Sequence, residues 1–157
     1  YAADPLSAKQ MAGELAQGLT ARRPGKDVTP EQLRRRSWWR GPEMFLLVDD
    51  YDLVVSGPTT ENPLGALMDF LPQGRELGLH VVLARRTGGA GRSLFEHFIA
   101  RVRDVGSPGI LLSGDRDEGP LLGGLRAEHL PPGRGRVVRR GEAAQLVQLA
   151  QLASSSY

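Results

Sequence analysis

Met44-Phe-Leu-Leu-Val-Asp-Asp50 decides the fold: five apolar residues run into two adjacent carboxylates, and Tyr51-Asp52 follow directly. A continuous apolar run of this length, bounded on one side by Gly41-Pro42, reads as a strand buried on both faces of a parallel sheet. Carboxylates at the carboxyl end of such a strand stand where open α/β sheets bind ligands. Nucleotide hydrolases use a pair of this kind: the first Asp holds the water shell of a magnesium ion, and the second acid orients the attacking water. The same residues also fit a plainer reading, a buried strand that ends in two solvated turn acids.

Length and composition bound the alternatives. At 157 residues and 40% hydrophobic, the chain suits one compact domain with a core that needs no staples. Cysteine is absent, which excludes disulfide frameworks and thiolate metal sites. The apolar runs are too short to cross a bilayer and no basic-then-apolar signal segment opens the chain, so a soluble piece is expected. A net charge of +2 is too small to argue for nucleic acid. Lysine occurs only at Lys9 and Lys26, and the arginine that makes up the rest of the basic residues favours bidentate contacts to phosphate or carboxylate. The first residue is Tyr rather than Met, so a processed product or a part of something longer is expected.

Outward from the central stretch, the helix signals are local. Asp4-Pro5 reads as an N-cap followed by proline at the first helical position, and Leu6, Met11, Leu15 and Leu19 give an apolar stripe along Ser7 to Arg22. Thr29-Pro30-Glu31-Gln32 is a capping box that opens a second helix carrying Leu33 to about Trp39. Arg34, Arg35, Arg36 and Arg40 surround Trp38-Trp39. Such a cluster can stack bases and grip phosphates, but it reads first as a helix end packed near the sheet with its arginines in water.

After the acids, Ser56 to Asn62 is a polar loop and Asn62-Pro63 is a further cap, opening a third helix with Leu64, Leu67, Met68 and Leu71 buried. Pro72 must kink or restart that helix. Gly78 closes it before a second buried strand, Leu79-His-Val-Val-Leu-Ala84. Strand, crossover and strand within this span predict a parallel βαβ unit. Arg85-Arg86-Thr87-Gly88-Gly89-Ala90-Gly91 then leads to a helix, and a glycine-rich turn at a helix start can cradle phosphate on backbone N–H groups. It is not a P-loop, because the Gly-Lys-Ser/Thr ending is missing and neither lysine lies in that frame.

The last third predicts a fourth helix from about Ser93 to Val105 with Leu94, Phe95, Phe98 and Val102 inward, and Gly106 as its stop. A short strand at Ile110 to Ser113 and a helical turn at Leu121-Leu122 follow. A hairpin then runs from Arg136 through a turn at Arg140-Gly141-Glu142 to Ala144 through Leu152. His80, His97 and His129 share no ligand spacing, so none is expected to hold a metal.

Together these residues carry a resemblance. Phe45-Leu-Leu-Val-Asp-Asp-Tyr-Asp-Leu53, Arg75-Glu-Leu-Gly-Leu-His80 and Val81-Val-Leu-Ala-Arg-Arg86 resemble the second half of an FtsK/SpoIIIE-type ATPase domain. Thr29-Pro-Glu-Gln-Leu33, Ser37-Trp-Trp39, Ser113-Gly114, Asp117-Glu-Gly119 and Leu130-Pro-Pro-Gly-Arg-Gly135 narrow it to the C-terminal ATPase module of the EccC family, the motors of type VII (ESX) secretion. The resemblance covers nearly the whole chain. It implies an α/β fold, the second half of a RecA/FtsK-like P-loop NTPase domain, mainly parallel sheet with flanking helices and a C-terminal β-hairpin. Residues 1–157 are then a single module without its Walker A portion, which is expected ahead of residue 1.

The resemblance also implies the site. Asp49 is the Walker B aspartate and holds magnesium through water. Arg85, Arg86, Pro132, Gly133, Arg134 and Gly135 bind nucleotide. Asp50 stands at the catalytic position, where family motors carry Glu. The lost methylene withdraws the carboxylate by about 1.5 Å, and a misplacement near 1 Å costs on the order of a hundredfold in rate. Arg85-Arg86 replace the polar sensor of the DNA-pumping members. The cofactors implied are ATP and Mg, once the Walker A segment is present. The partners implied are neighbouring modules of the same polypeptide, secreted proteins of the WXG100 (Esx) class, membrane components of the secretion complex and a ring oligomer. The place implied is the cytoplasmic face of the membrane. A degenerate, regulatory nucleotide-binding module is the preferred expectation. An active translocase engine moving DNA or protein is its competitor, and a nucleic-acid module built on Trp38 and Trp39 is a third.

Overall fold

The structure, a computed structural model, describes residues 1–55 and 61–150. Most of the polar loop expected at Ser56 to Asn62, and the last two residues of the hairpin arm expected to reach Leu152, lie outside the described residues. The chain divides into two compact units, Tyr1–Arg85 and Arg86–Tyr157.

In the first unit, helix α1 (Pro5–Thr20) begins where Asp4 takes an extended backbone. Its carboxylate accepts from the N–H groups of Leu6 and Ser7 at 2.9 and 3.0 Å, which satisfies donors that a helix start otherwise leaves orphaned. The buried face is Ala8, Ala12 and Leu19, whereas Leu6, expected in the stripe, is 78% exposed. Small residues let α1 lie close to its neighbours: a Cβ on Gly18 would stand 2.9 Å from Met44 Cε. Helix α2 (Pro30–Arg35) starts with the expected Thr29–Gln32 capping box but stops short, because Arg36 turns left-handed at φ 52. Trp38 and Trp39 therefore leave the helix.

Strand β1 (Met44–Val48) pairs in parallel with strand β2 (Leu79–Leu83), Phe45 opposite His80 and Leu47 opposite Val82. Leu46, Val48 and Leu79 are buried, while Phe45, Leu47 and Val82 are 66%, 72% and 55% exposed. The expectation of burial on both faces is therefore corrected, since the described residues cover one face of the pair.

The crossover is the second departure. In place of one kinked helix, helix α3 (Tyr51–Val54), 3₁₀ turns at Gly65–Leu67 and Leu71–Gln73, and helix α4 (Gly74–Leu77) follow one another. Pro72 cannot donate to a continuing ladder, and Gly65 and Gly74 lower helix propensity on either side of it. The apolar stripe still works without a continuous helix: Leu64, Leu67, Phe70, Leu71 and Leu77 are all buried.

In the second unit the expected fourth helix is divided into α5 (Ala90–Ser93) and α6 (His97–Asp104). Glu96 is extended, and its carboxylate accepts from the Phe98 and Ile99 N–H groups at 3.1 Å each, so it caps a fresh helix. Phe98 and Leu94 are buried as expected, but Phe95 is 80% exposed because it lies in the break. Strand β3 (Gly109–Leu111) pairs antiparallel with β4 (Arg134–Val138), and β4 with β5 (Gln145–Gln148). The third strand thus joins the C-terminal hairpin rather than the parallel pair. Further 3₁₀ turns lie at Arg116–Glu118 and at Leu122–Gly124, the latter where a single turn was expected.

Candidate functional site

The two acids sit on a mount made by the parallel ladder. Ala84 N–H donates to Val48 O at 2.8 Å, and Ala84 O accepts from Tyr51 N–H at 2.9 Å. The ladder therefore closes on both sides of Asp49-Asp50 and holds them at the carboxyl end of β1. Asp50 is left-handed, at φ 45 and ψ 52, a conformation that Asp adopts more readily than most residues. Its N–H donates to the Asp49 carboxylate at 3.0 Å, and its carbonyl accepts from Leu53 N–H at 2.8 Å to start α3. Both acids are exposed.

Below them Tyr51 is 1% exposed. Asn62 donates to the Tyr51 hydroxyl at 2.6 Å, while its own carbonyl accepts from Leu64 N–H at 2.8 Å. This support was missed in the sequence, where Asn62 read only as a cap. Arg85 leaves β2 directly after Ala84 and so belongs to the same sheet end; it is half-buried. Arg86 is exposed and opens the second unit.

The glycine-rich turn is not a vacant phosphate cradle. Gly89, at φ +72, donates its N–H to the Glu118 carboxylate at 2.8 Å, and a Cβ on Gly91 would stand 2.3 Å from the Glu118 carbonyl oxygen. The chain's own carboxylate occupies the place that the sequence offered to a phosphate, and nothing in the local sequence around Gly89 announces a partner 29 residues away.

Pro132, Gly133, Arg134 and Gly135 lie in and after the turn that opens β4. Arg134 N–H donates to Pro131 O at 3.0 Å, and Leu149 N–H to Gly133 O at 2.7 Å. Gly133 has φ +74. Gly135 is buried, and a Cβ there would meet Leu111 O at 2.8 Å. Pro131, Pro132 and Arg134 remain exposed.

Both indoles of the Arg-Trp cluster are tied down. Trp38 Nε1 donates to Arg22 O at 2.7 Å and Trp39 Nε1 to Glu76 O at 2.8 Å. The guanidinium of Arg22 lies 4.3 Å from the Trp39 ring centroid. Arg35 pairs with Glu31 at 3.0 Å. This is the packed-end arrangement. Nearby, Glu43 binds His80 and Arg36, and these hydrogen bonds, His80's first, hold its carboxyl below the usual 4.5.

Among the described residues no group of three His, Cys, Asp or Glu side chains can hold a metal ion directly. A cleft of about 700 Å³ in the second unit is lined by Arg103, Leu122, Val138 and Arg140 among others, and by none of the expected site residues. No described helix is long and apolar enough to cross a membrane.

No protein-family model matches the chain. It is 47% identical over 150 residues to the ESX secretion system protein EccC of Thermomonospora curvata, spanning 96% of this chain and 11% of that protein. It is 48% identical over 150 residues to the ESX-4 secretion system protein EccC4 of Mycobacterium tuberculosis, spanning 96% and 12%. Two solved structures agree with it at a TM-score of 0.89 and 47% identity, each over 98% of this chain. One is the cytoplasmic domain of the T. curvata type VII secretion ATPase EccC, of which the chain covers 18%. The other is T. curvata EccC, ATPases 2 and 3, in complex with a signal sequence peptide, of which it covers 27%.

Proposed function

Since this chain belongs to the EccC family of ESX secretion proteins and has the P-loop NTPase fold of their ATPase domains, we propose that it is the Walker B half of a nucleotide-binding module in a type VII secretion motor. It is FtsK/SpoIIIE-like, and its role in protein export is regulatory. The observation that carries this reading is the mount of Asp49-Asp50, two exposed acids held at the carboxyl end of a parallel pair by hydrogen bonds on either side. The β- and γ-phosphate cradle comes from outside residues 1–157, because no G-x-x-x-x-G-K-[ST] occurs within them. The same missing portion would cover the open face formed by Phe45, Leu47 and Val82.

The residues present fit a magnesium ion of the nucleotide-bound kind. A site without three converging protein ligands is no cage, and magnesium bound with nucleotide keeps several waters and takes phosphate oxygens. Asp49 would hold it through water, and the bound ion would neutralise phosphate charge. Arg85 in the first unit and, separately, Arg86 and the Pro132–Gly135 turn in the second are the further nucleotide contacts proposed. Asp50 orients the attacking water poorly because it is one methylene short, which makes the module a binder with low turnover. The partners proposed are neighbouring modules of the parent chain, including a ring of them, the membrane components of the secretion complex, and secreted proteins of the WXG100 class. The peptide seated on the T. curvata relative supports the last of these. The parent would place the module at the cytoplasmic face of the membrane.

The competing reading is an active engine, and single-turnover ATP hydrolysis by the parent protein decides between them. Asp50→Glu is expected to raise the rate with nucleotide affinity nearly unchanged, because the group acts on water rather than on bound phosphates. Asp49→Ala is expected to weaken magnesium-dependent binding. Fast wild-type turnover that falls on Asp50→Glu would make Asp50 a competent catalyst and the module an engine.

A further inference from the structure

We infer that Gln148 is a positioning residue for the nucleotide, its side-chain amide holding the turn at Pro131–Gly135 in the shape that presents Pro132 and Arg134 to the nucleoside end of the ligand. The inference rests on the reading proposed above, that this turn contacts nucleotide. Gln148 stands directly opposite Arg134 across the β4–β5 ladder. Its Nε2 donates to Pro132 O at 3.1 Å and to Leu149 O at 3.3 Å, and its Oε1 accepts from Arg134 Nε at 3.3 Å. One amide thus holds the turn's backbone with one end and its cation with the other.

The chemistry of this clasp is narrow. Glutamate offers acceptors only, lysine donors only, and asparagine is one methylene shorter. The turn has no slack either, since a Cβ on Gly133 would stand 2.8 Å from Gln148 Nε2 and 3.1 Å from Leu149 O. Gln148, Pro132 and Arg134 are all exposed, so the clasp shapes a surface rather than filling a core. The Arg134 guanidinium can pair with a phosphate or stack on a base, and the prolines beside it favour the base. Two successive prolines bring apolar ring faces and no N–H donors, whereas a phosphate site needs converging N–H groups.

The test uses the parent protein with Gln148→Ala, Gln148→Asn and, separately, the double variant Pro132→Ala/Arg134→Ala. ATP dissociation constants, competition by inorganic tripolyphosphate, and melting without nucleotide are measured on each. Gln148→Ala and Gln148→Asn are expected to weaken ATP by about three- to tenfold, the worth of one or two hydrogen bonds, while tripolyphosphate stays within about twofold. Melting without nucleotide is expected to fall by no more than about 2 °C, because the clasp is exposed, and a larger fall would make Gln148 a residue of the fold and overturn the inference. Unchanged ATP affinity in Gln148→Ala, or equal losses for ATP and tripolyphosphate, overturns the inference. If the double variant weakens ATP and Gln148→Ala does not, the inference alone falls. If the double variant leaves ATP untouched, the reading of the turn falls with it.

Discussion

Replacing Arg22 by alanine is the sharpest test of how the first unit is held together. Arg22 is 9% exposed although it carries a charge. Its guanidinium donates to Leu77 O at 2.9 Å and Pro42 O at 2.7 Å, and it stacks on Trp39 at 4.3 Å. One side chain therefore joins the end of α1 to the residues just ahead of both β1 and β2. Hydrogen bonds from a charged donor contribute about 1.5–3 kcal/mol each, and the cation–π contact adds about 0.5–2 kcal/mol. Against this stands the desolvation of a buried cation, which costs several kcal/mol and which the alanine variant escapes. The variant leaves two carbonyls without their donor, so a net loss of about 3 kcal/mol is expected. Urea denaturation followed by tryptophan fluorescence is the assay, since both tryptophans of the chain lie in the clamp. Arg22→Lys should recover little, because an ammonium cannot span two carbonyls and lie flat on an indole. A loss below about 1 kcal/mol for Arg22→Ala, or full recovery by lysine, would refute the clamp.

Gly91→Ala would push a Cβ to 2.3 Å from a backbone oxygen of Glu118 and is expected to destabilise the second unit by about 2–3 kcal/mol in denaturant titration. Gly88→Ala, with nothing within 4 Å, is the matched control and should change stability by less than about 0.5 kcal/mol. Glu43 has its carboxyl held below 4.5 by His80 and then Arg36. Its contribution is therefore complete above that value and lost as pH falls through the lower folded one. Acid titration of stability should show a shallower decline in Glu43→Gln, and an unchanged profile would remove Glu43 from the account.

What the sequence made legible was local or periodic. The caps at Asp4 and Thr29 formed because the donor and acceptor lie within one turn of each other. The parallel pair formed because two apolar runs of strand length are bounded by glycine, proline and charge. Helix continuity was read less well. The stripe Leu64, Leu67, Leu71 buries its side chains through 3₁₀ turns, and Glu96 resembles any surface acid until its carboxylate is seen capping α6. At the candidate site, Asp49 and Asp50 were found from the strand that carries them. The contacts that hold each candidate segment in its own unit were not, because Tyr51–Asn62, Gly89–Glu118 and Pro132–Gln148 join residues that no short pattern links.

The backbone also gives Asp50 a reason to be Asp. Asp49 follows the last residue of β1, and Asp50 is left-handed at φ 45 so that the chain can enter α3 and Tyr51 can return to Ala84. Asp enters the left-handed region several-fold more readily than most residues other than glycine, and here it does so without a cap hydrogen bond to its own carboxylate. Glutamate at this position would extend the carboxylate toward a water but would hold the turn less well. The two demands, reach for chemistry and ease in the left-handed turn, therefore oppose each other at one residue. On the reading proposed above, a binder with low turnover, residue 50 meets the second demand at the expense of the first.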